Sequence, residues 1–234
     1  DTYLSVSEAL THAGHVHDSK VELVWINSED ITEENTERVL KDLDGIIAPS
    51  GFGERGTKGK ILAAKYAREN NVPYFGIGMG MQTAIIEFAR NVLNLENAHS
   101  TEFDADTKYP VVVGLDQHAN SDFLGGTLRL GNYECVLEEG SLIKKLYAEA
   151  SVLERHRHRY EFNNKYRELF EENGFVFSAN TPDNEVVEAV ELSTHPFYIG
   201  TQYQPEFKSR PNRPHPLFKG FIHAALIFSK DKVE

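Results

Sequence analysis

The chain has 234 residues and carries 24 Lys plus Arg against 36 Asp plus Glu, a formal net charge of -12. That acidity excludes the positive footprint by which a nucleic-acid binder displaces counterions, while 40% apolar and 26% charged residues suit a chain that buries a core. No apolar run is long enough to cross a membrane as a helix, and the single cysteine, Cys135, excludes an intrachain disulfide and a cysteine-based zinc site. A reducing, cytoplasmic setting is expected. The first residue is Asp1 and no signal-peptide pattern follows, so a piece of something longer is expected.

Taken in chain order, apolar positions at helical spacing predict a helix over residues 4–13, and a compact apolar run predicts a strand over 21–26. Capping chemistry at Ser28, Glu29 and Asp30 precedes a helical pattern over 32–43. Residues 45–49 (GIIAP) read as a short buried strand, followed by a glycine-rich turn over 50–56. A helix over 60–70, a buried strand over 72–77 and a helix over 81–93 complete a βαβ texture that implies a parallel sheet. Beyond residue 100 strands dominate, over 111–115, 126–130, 133–137, 186–192 and 198–203, with helices over 141–147, 163–173 and 216–228. The polar segment 115–126 reads as a surface loop. The whole is expected to be one α/β domain over residues 1–234, a mostly parallel central sheet flanked by helices.

Four segments carry candidate chemistry. Gly76, Gly78 and Gly80 punctuate a strand-to-helix turn; this is either a plain tight turn or the sharp elbow on which hydrolases expose a nucleophile at a helix N-terminus. Ser50-Gly51-Phe52-Gly53 also follows a strand, and its N–H groups suit an anion or a developing oxyanion, or form a loop with no ligand. The stretch 53–60 is not a phosphate-cradling loop, because the spacing before Gly59-Lys60 is wrong and Ile61 stands where a hydroxyl is required. In Glu154-Arg155-His156-Arg157-His158-Arg159-Tyr160-Glu161, strand alternation puts the three arginines on one face and the two histidines on the other. The arginine row suits a carboxylate ligand or a solvated strand, and the His-x-His pair lacks a convincing third metal ligand, so no metal is assigned. Gln202 to Phe207 follows a strand and includes a carboxylate, Glu206.

These segments together resemble the glutaminase (class I glutamine amidotransferase) domain of CTP synthases. The matching stretches are Gly51-Phe52-Gly53-x-Arg55-Gly56, 67–74, Gly80-Met81-Gln82, Ser100-Thr101-Glu102-Phe103, 108–112, 124–131, the octapeptide 154–161, Pro205-Glu206-Phe207 and 215–218, in family order along almost the whole chain. The resemblance implies the flavodoxin-like three-layer fold and hydrolysis of L-glutamine by a Cys–His–Glu triad. It further implies ammonia delivery to a separate synthetase domain, which holds the ATP and Mg and converts UTP to CTP. That domain and the family's opening β-strand lie outside this chain.

The departures fall on the chemistry. The nucleophile position is Gly78, the base position is Gln204, and only Glu206 remains of the triad; the family's Gly-Gly oxyanion loop reads Ser50-Gly51. Glycine forms no thioester and an amide does not titrate near neutrality. Neither Cys135, in a strand-like stretch, nor Ser50, with no base in sight, is an expected replacement. By resemblance, glutamine is held by Gly51, Met79, Gly80, Met81, Gln82, Glu102 and Arg159, with Glu102 facing the ligand ammonium and Arg159 its carboxylate. The expected protein is a glutaminase domain without glutaminase activity. A free-standing glutamine-binding or docking module, and a hydrolase of another kind, are its rivals.

Overall fold

A computed structural model describes residues 3–115 and 129–232. The helices are α1 (Leu4–Val16), α2 (Thr36–Leu40), α3 (Thr57–Glu69), α4 (Met79–Asn91), α5 (Leu142–Tyr147), α6 (Arg167–Glu172) and α7 (Pro216–Asp231). The strands are β1 (Ile46–Ala48), β2 (Tyr74–Ile77), β3 (His99–Ser100), β4 (Pro110–Gly114), β5 (Arg129–Leu137), β6 (Ser151–His158), β7 (Tyr160–Phe162), β8 (Phe175–Asn180), β9 (Val187–Leu192) and β10 (Tyr198–Thr201). Among the described residues a seven-stranded sheet runs β1-β2-β10-β9-β8-β5-β6, and a three-stranded sheet runs β3-β4-β7.

The α/β sheet flanked by helices is as expected, but the sheet is mixed. Among the described residues of the seven-stranded sheet, β1–β2 and β2–β10 pair in parallel, and β10–β9, β9–β8, β8–β5 and β5–β6 are antiparallel. Connections between β8, β9 and β10 are a few residues long, too short for a crossover helix, so those strands must reverse. The expected strands 126–130 and 133–137 are one strand, β5, in their described part, continuous through Gly131. The loop 116–126 lies outside the described residues. Strands β3, β7 and β8 carried no separate expectation.

Two apolar layers hold the sheet. Ala63, Ala64 and Ala67 of α3 and Ile85, Ile86 and Ala89 of α4 cover one face. Val6, Ala9, Leu10 and Ala13 of α1, spaced as one helical stripe, join Leu217, Phe218 and Phe221 of α7 on the other. The central strands β2, β10 and β9 are buried throughout; β2 and β10 are short and mainly apolar, whereas β9 carries the buried carboxyls of Glu188 and Glu191.

The expected strand 21–26 is not one. That segment is irregular, and Val24 and Trp25 are exposed. A cleft of about 810 Å³ lies between it and β1, lined by Val21, Leu23, Ile26, Ile46 and Ala48 among others. An apolar strand-like sequence becomes a strand only when a neighbour supplies ladder partners, and here β1 is an edge strand whose outer side faces the cleft. Helix 32–43 is likewise shortened to α2, after a single 3₁₀ turn at Ser28–Asp30.

Helix α4 is pressed unusually close to β1. A Cβ on Gly80 would stand 1.9 Å from the Ala48 carbonyl oxygen, which is backbone and cannot swing aside. Gly80→Ala is expected to lower unfolding free energy by about 3 kcal/mol in a urea titration, in the upper range for overpacking.

Candidate active site

The three parallel strands β1, β2 and β10 end at one edge of the sheet, with Ala48 and Gly200 both in register with Gly76. In an open α/β sheet the carboxyl ends of such strands are where ligands bind. Three turns leave that edge: the loop from Ser50 to Gly56, the elbow at Gly78, and the segment from Gln202 to the 3₁₀ turn Pro205–Lys208.

Gly78 has φ 56° and ψ -109°, in the left-handed half of backbone space. A side chain there costs about 1–3 kcal/mol of strain. Its N–H donates to the Thr201 carbonyl at 2.7 Å, and its carbonyl accepts from the Gln82 N–H at 3.2 Å as α4 begins. The backbone therefore has an elbow geometry with no side chain on it. A Cβ at this point would stand 2.3 Å from Ser50 Oγ and 3.3 Å from Ser50 Cβ. Gln204 Nε2 donates to that same Ser50 Oγ at 2.9 Å, so residues 50, 78 and 204 meet at one point.

Glu206 is buried in the 3₁₀ turn, and its Oε2 finds no hydrogen-bond partner among the described residues. Burial pushes its carboxyl up to about 7, and the nearby Glu154 charge adds to the effect. Lys60, on α3, donates from Nζ to the Pro49 carbonyl at 3.0 Å and lies 3.8 Å from Met79 Sδ. Burial pushes its amine down to about 8. Sequence reasoning set Lys60 aside with the rejected phosphate loop; the structure gives it the task of strapping α3 to the start of the 50–56 loop.

The expected ligand-binding residues divide. Glu102 Oε1 accepts from the Gly53 N–H at 2.9 Å, tying the 100–103 turn to the glycine-rich loop. Arg157 lies over the Phe52 ring at 5.8 Å, and Arg155, Arg157 and Arg159 are exposed while His156 and His158 are buried, as strand alternation requires. Gln82 Nε2 donates to the Tyr160 carbonyl, next to Arg159, and to Gln202 Oε1. Gly51 and Met79 approach each other across the loop and elbow. Gly80 is a packing residue, and the Met81 side chain is wholly buried against Gly200, so those two serve the site through the backbone.

A Cys–His–Glu arrangement does occur, away from the elbow, in the sheet. Cys135 Sγ is 3.7 Å from His156 Nε2, and His156 Nδ1 is 3.3 Å from Glu188 Oε2; Cys135 and Glu188 supply the partners that the His-x-His pattern lacked. The order mimics a triad, but the group is sealed on β5, β6 and β9. Burial pushes the Cys135 thiol far above its ordinary range and pushes His156 down to about 2. A thiol without access or thiolate character is no nucleophile. Arg129 Nη1, 2.5 Å from Glu188 Oε1, supplies the cation that the carboxylate pairs with.

The glutamine amidotransferase class-I family model matches residues 1–224. The chain belongs to the class-I glutamine amidotransferase family. It is 55% identical to the CTP synthase of Bacillus velezensis over 99% of this chain and 43% of that protein, and 55% identical to the CTP synthase of Clostridium kluyveri over 97% of this chain and 42% of that one. It thus spans less than half the length of those curated relatives. The glutaminase domain of Trypanosoma brucei CTP synthase, solved with bound acivicin, superposes with a TM-score of 0.91 at 37% identity, covering 97% of this chain and 89% of that one. Within the amidotransferase family the domain is therefore of the CTP-synthase type.

Glu206 allows a direct check. Its folded-state carboxyl titrates near 7 against 4.5 ordinarily, so the folded chain holds the proton more tightly. The associated stability is present below about pH 4.5 and is lost as pH rises through 7. Glu206→Gln is expected to raise unfolding free energy at pH 8.5 by on the order of 1–3 kcal/mol, with the gain vanishing near pH 4.5, read by denaturant titration at both pH values.

Proposed function

We propose that this chain is the glutamine-binding domain of a CTP-synthase-type protein, and that it holds glutamine without hydrolysing it. The observation that carries this reading is the elbow itself: a backbone of nucleophile-bearing shape with no side chain at residue 78, facing an amide at residue 204. Neither group attacks a carboxamide or takes up a proton near neutral pH.

What remains suits recognition. The Glu102 carboxylate and the Arg159 guanidinium offer opposite charges to an amino acid's ammonium and carboxylate. The Gly51 and Met79 N–H groups flank the point where a side-chain carbonyl would rest. In this reading the domain docks to a cytoplasmic synthetase domain of pyrimidine biosynthesis, the part that holds ATP and Mg and makes CTP. Its contribution is occupancy by glutamine, and ammonia must come from elsewhere.

The purified chain is expected to give a calorimetric signal with millimolar glutamine and to release ammonia at a rate at least about 10⁴-fold below that of an intact glutaminase. Arg159→Ala should weaken glutamine binding by about tenfold or more, since it removes a charge-assisted pair. Sustained ammonia release by the unaltered chain, or the absence of any heat in a folded sample, would defeat the proposal.

A further inference from the structure

Three departures from the family pattern, at residues 50, 78 and 204, converge on one hydrogen bond. The ideal Cβ position of residue 78 lies 2.3 Å from Ser50 Oγ, closer than any non-bonded contact. The hydroxyl therefore lies inside the space that a side chain on the elbow would fill. Gln204, in the base position, holds that hydroxyl from the other side at 2.9 Å. Glu206, two residues further along the chain, has Oε2 unpaired among the described residues. A hydroxyl drawn from β1's loop instead of β2's elbow thus meets the amide that stands in the base position.

We propose that Ser50 has taken the place of residue 78 as the group facing a bound side chain, so that the pocket reads an intact carboxamide through the Ser50 hydroxyl. This rests on the glutamine-binding reading above. Ser50 Oγ accepts from Gln204 Nε2, which turns its own proton outward as a donor. A hydroxyl is both donor and acceptor, and a ligand carbonyl oxygen is the partner such a donor seeks. The hydroxyl does not attack, because an amide nitrogen that already donates to it cannot take its proton. A cysteine returned to residue 78 enters only by rotating the Ser50 hydroxyl off Gln204, and Ser50 Cβ at 3.3 Å still crowds it. Ser50 and Gly78 are thus one coupled exchange, and restoring the family nucleophile needs Ser50→Gly as well as Gly78→Cys and Gln204→His.

The arrangement makes an unusual forecast: Gln204→His alone supplies what Ser50 lacks. The introduced imidazole stands within reach of Ser50 Oγ and takes its proton. A fluorophosphonate probe tests this without relying on glutamine affinity: Ser50 Oγ bonds to phosphorus, the P–F bond breaks, fluoride leaves and the imidazole takes the proton. Expected by mass spectrometry are no label on the unaltered chain, label on Ser50 in Gln204→His at a rate raised by about 100-fold or more, and none in Ser50→Ala/Gln204→His. Label that is absent from Ser50, or that survives Ser50→Ala, overturns the assignment.

Thermal melts give a second reading that needs no chemistry. Gly78→Cys should lower Tm, and adding Ser50→Gly should recover about 2–4 °C of the loss; no recovery means that Ser50 does not hold the space. Calorimetry supplies the ligand arm, with Ser50→Ala weakening glutamine by about fivefold, the worth of one neutral hydrogen bond, and leaving norvaline, which lacks the carboxamide, unchanged. If the unaltered chain binds neither, the glutamine reading fails while the labelling and melting results still decide the position of Ser50. If glutamine binds and Ser50→Ala changes nothing, the carboxamide role of Ser50 fails alone.

Discussion

The closeness of α4 to β1 governs the candidate site. Gly80 sits so near the Ala48 carbonyl that no side chain separates them, and the elbow amide of Gly78 is tied to β10 through Thr201. With the helix and two strand ends fixed, the turn at Gly78 and the loop at Ser50 share one small space. Interiors packed at crystal-like density do not leave such a space empty or fill it twice. A side chain can therefore stand on residue 50 or on residue 78, and here it stands on residue 50. The left-handed backbone at residue 78 is kept because the surrounding hydrogen bonds demand it, and glycine adopts it without strain.

The electrostatics follow from the same substitutions. An amide at residue 204 offers no cation to a buried carboxylate, and burial, with the Glu154 charge adding to it, carries the Glu206 carboxyl up to about 7. Lys60 is pushed the other way, down to about 8. Both shifts move the buried part of the site toward neutrality, in which a polar ligand is held by hydrogen bonds. The charges that the proposed reading assigns to an amino acid's head group sit outside it, on Glu102 and on the exposed Arg159 just past the end of β6. The Cys135–His156–Glu188 group shows the opposite arrangement: residue types associated with catalysis, enclosed where neither water nor substrate reaches them.

Much of this was legible in the sequence because it rests on short-range rules. Glycines at 76, 78 and 80 mark the elbow, and alternation in 154–161 sorts arginines outward and histidines inward. The segment 21–26 misled because an apolar run specifies a strand only in the presence of a partner, and pairing is a property of the sheet. The mixed sheet was legible in part: the short connection between the expected strands 186–192 and 198–203 leaves no room for a crossover helix, whereas β8 carried no expectation and its pairing could not be placed. Ser50 was legible as a departure but not as a contact: nothing in the sequence places residue 50 against residues 78 and 204. The available signal was complementarity, a glycine lost at 50 together with a glycine gained at 78.

Strand β1 shows how the fold and the site depend on each other. It has three residues, pairs among the described residues with β2 alone, and opens on its other side to the cleft beneath segment 21–26. A strand so short and one-sided is weakly held by its ladder, yet its loop carries Ser50 and Gly51. Two further restraints make up the difference. Helix α4 clamps Ala48 through the missing side chain of Gly80, and Lys60 reaches from α3 to the Pro49 carbonyl. Burying an amine is costly unless it is paired or loses its charge. Its depressed titration marks that cost, and what it secures is the carbonyl immediately before Ser50.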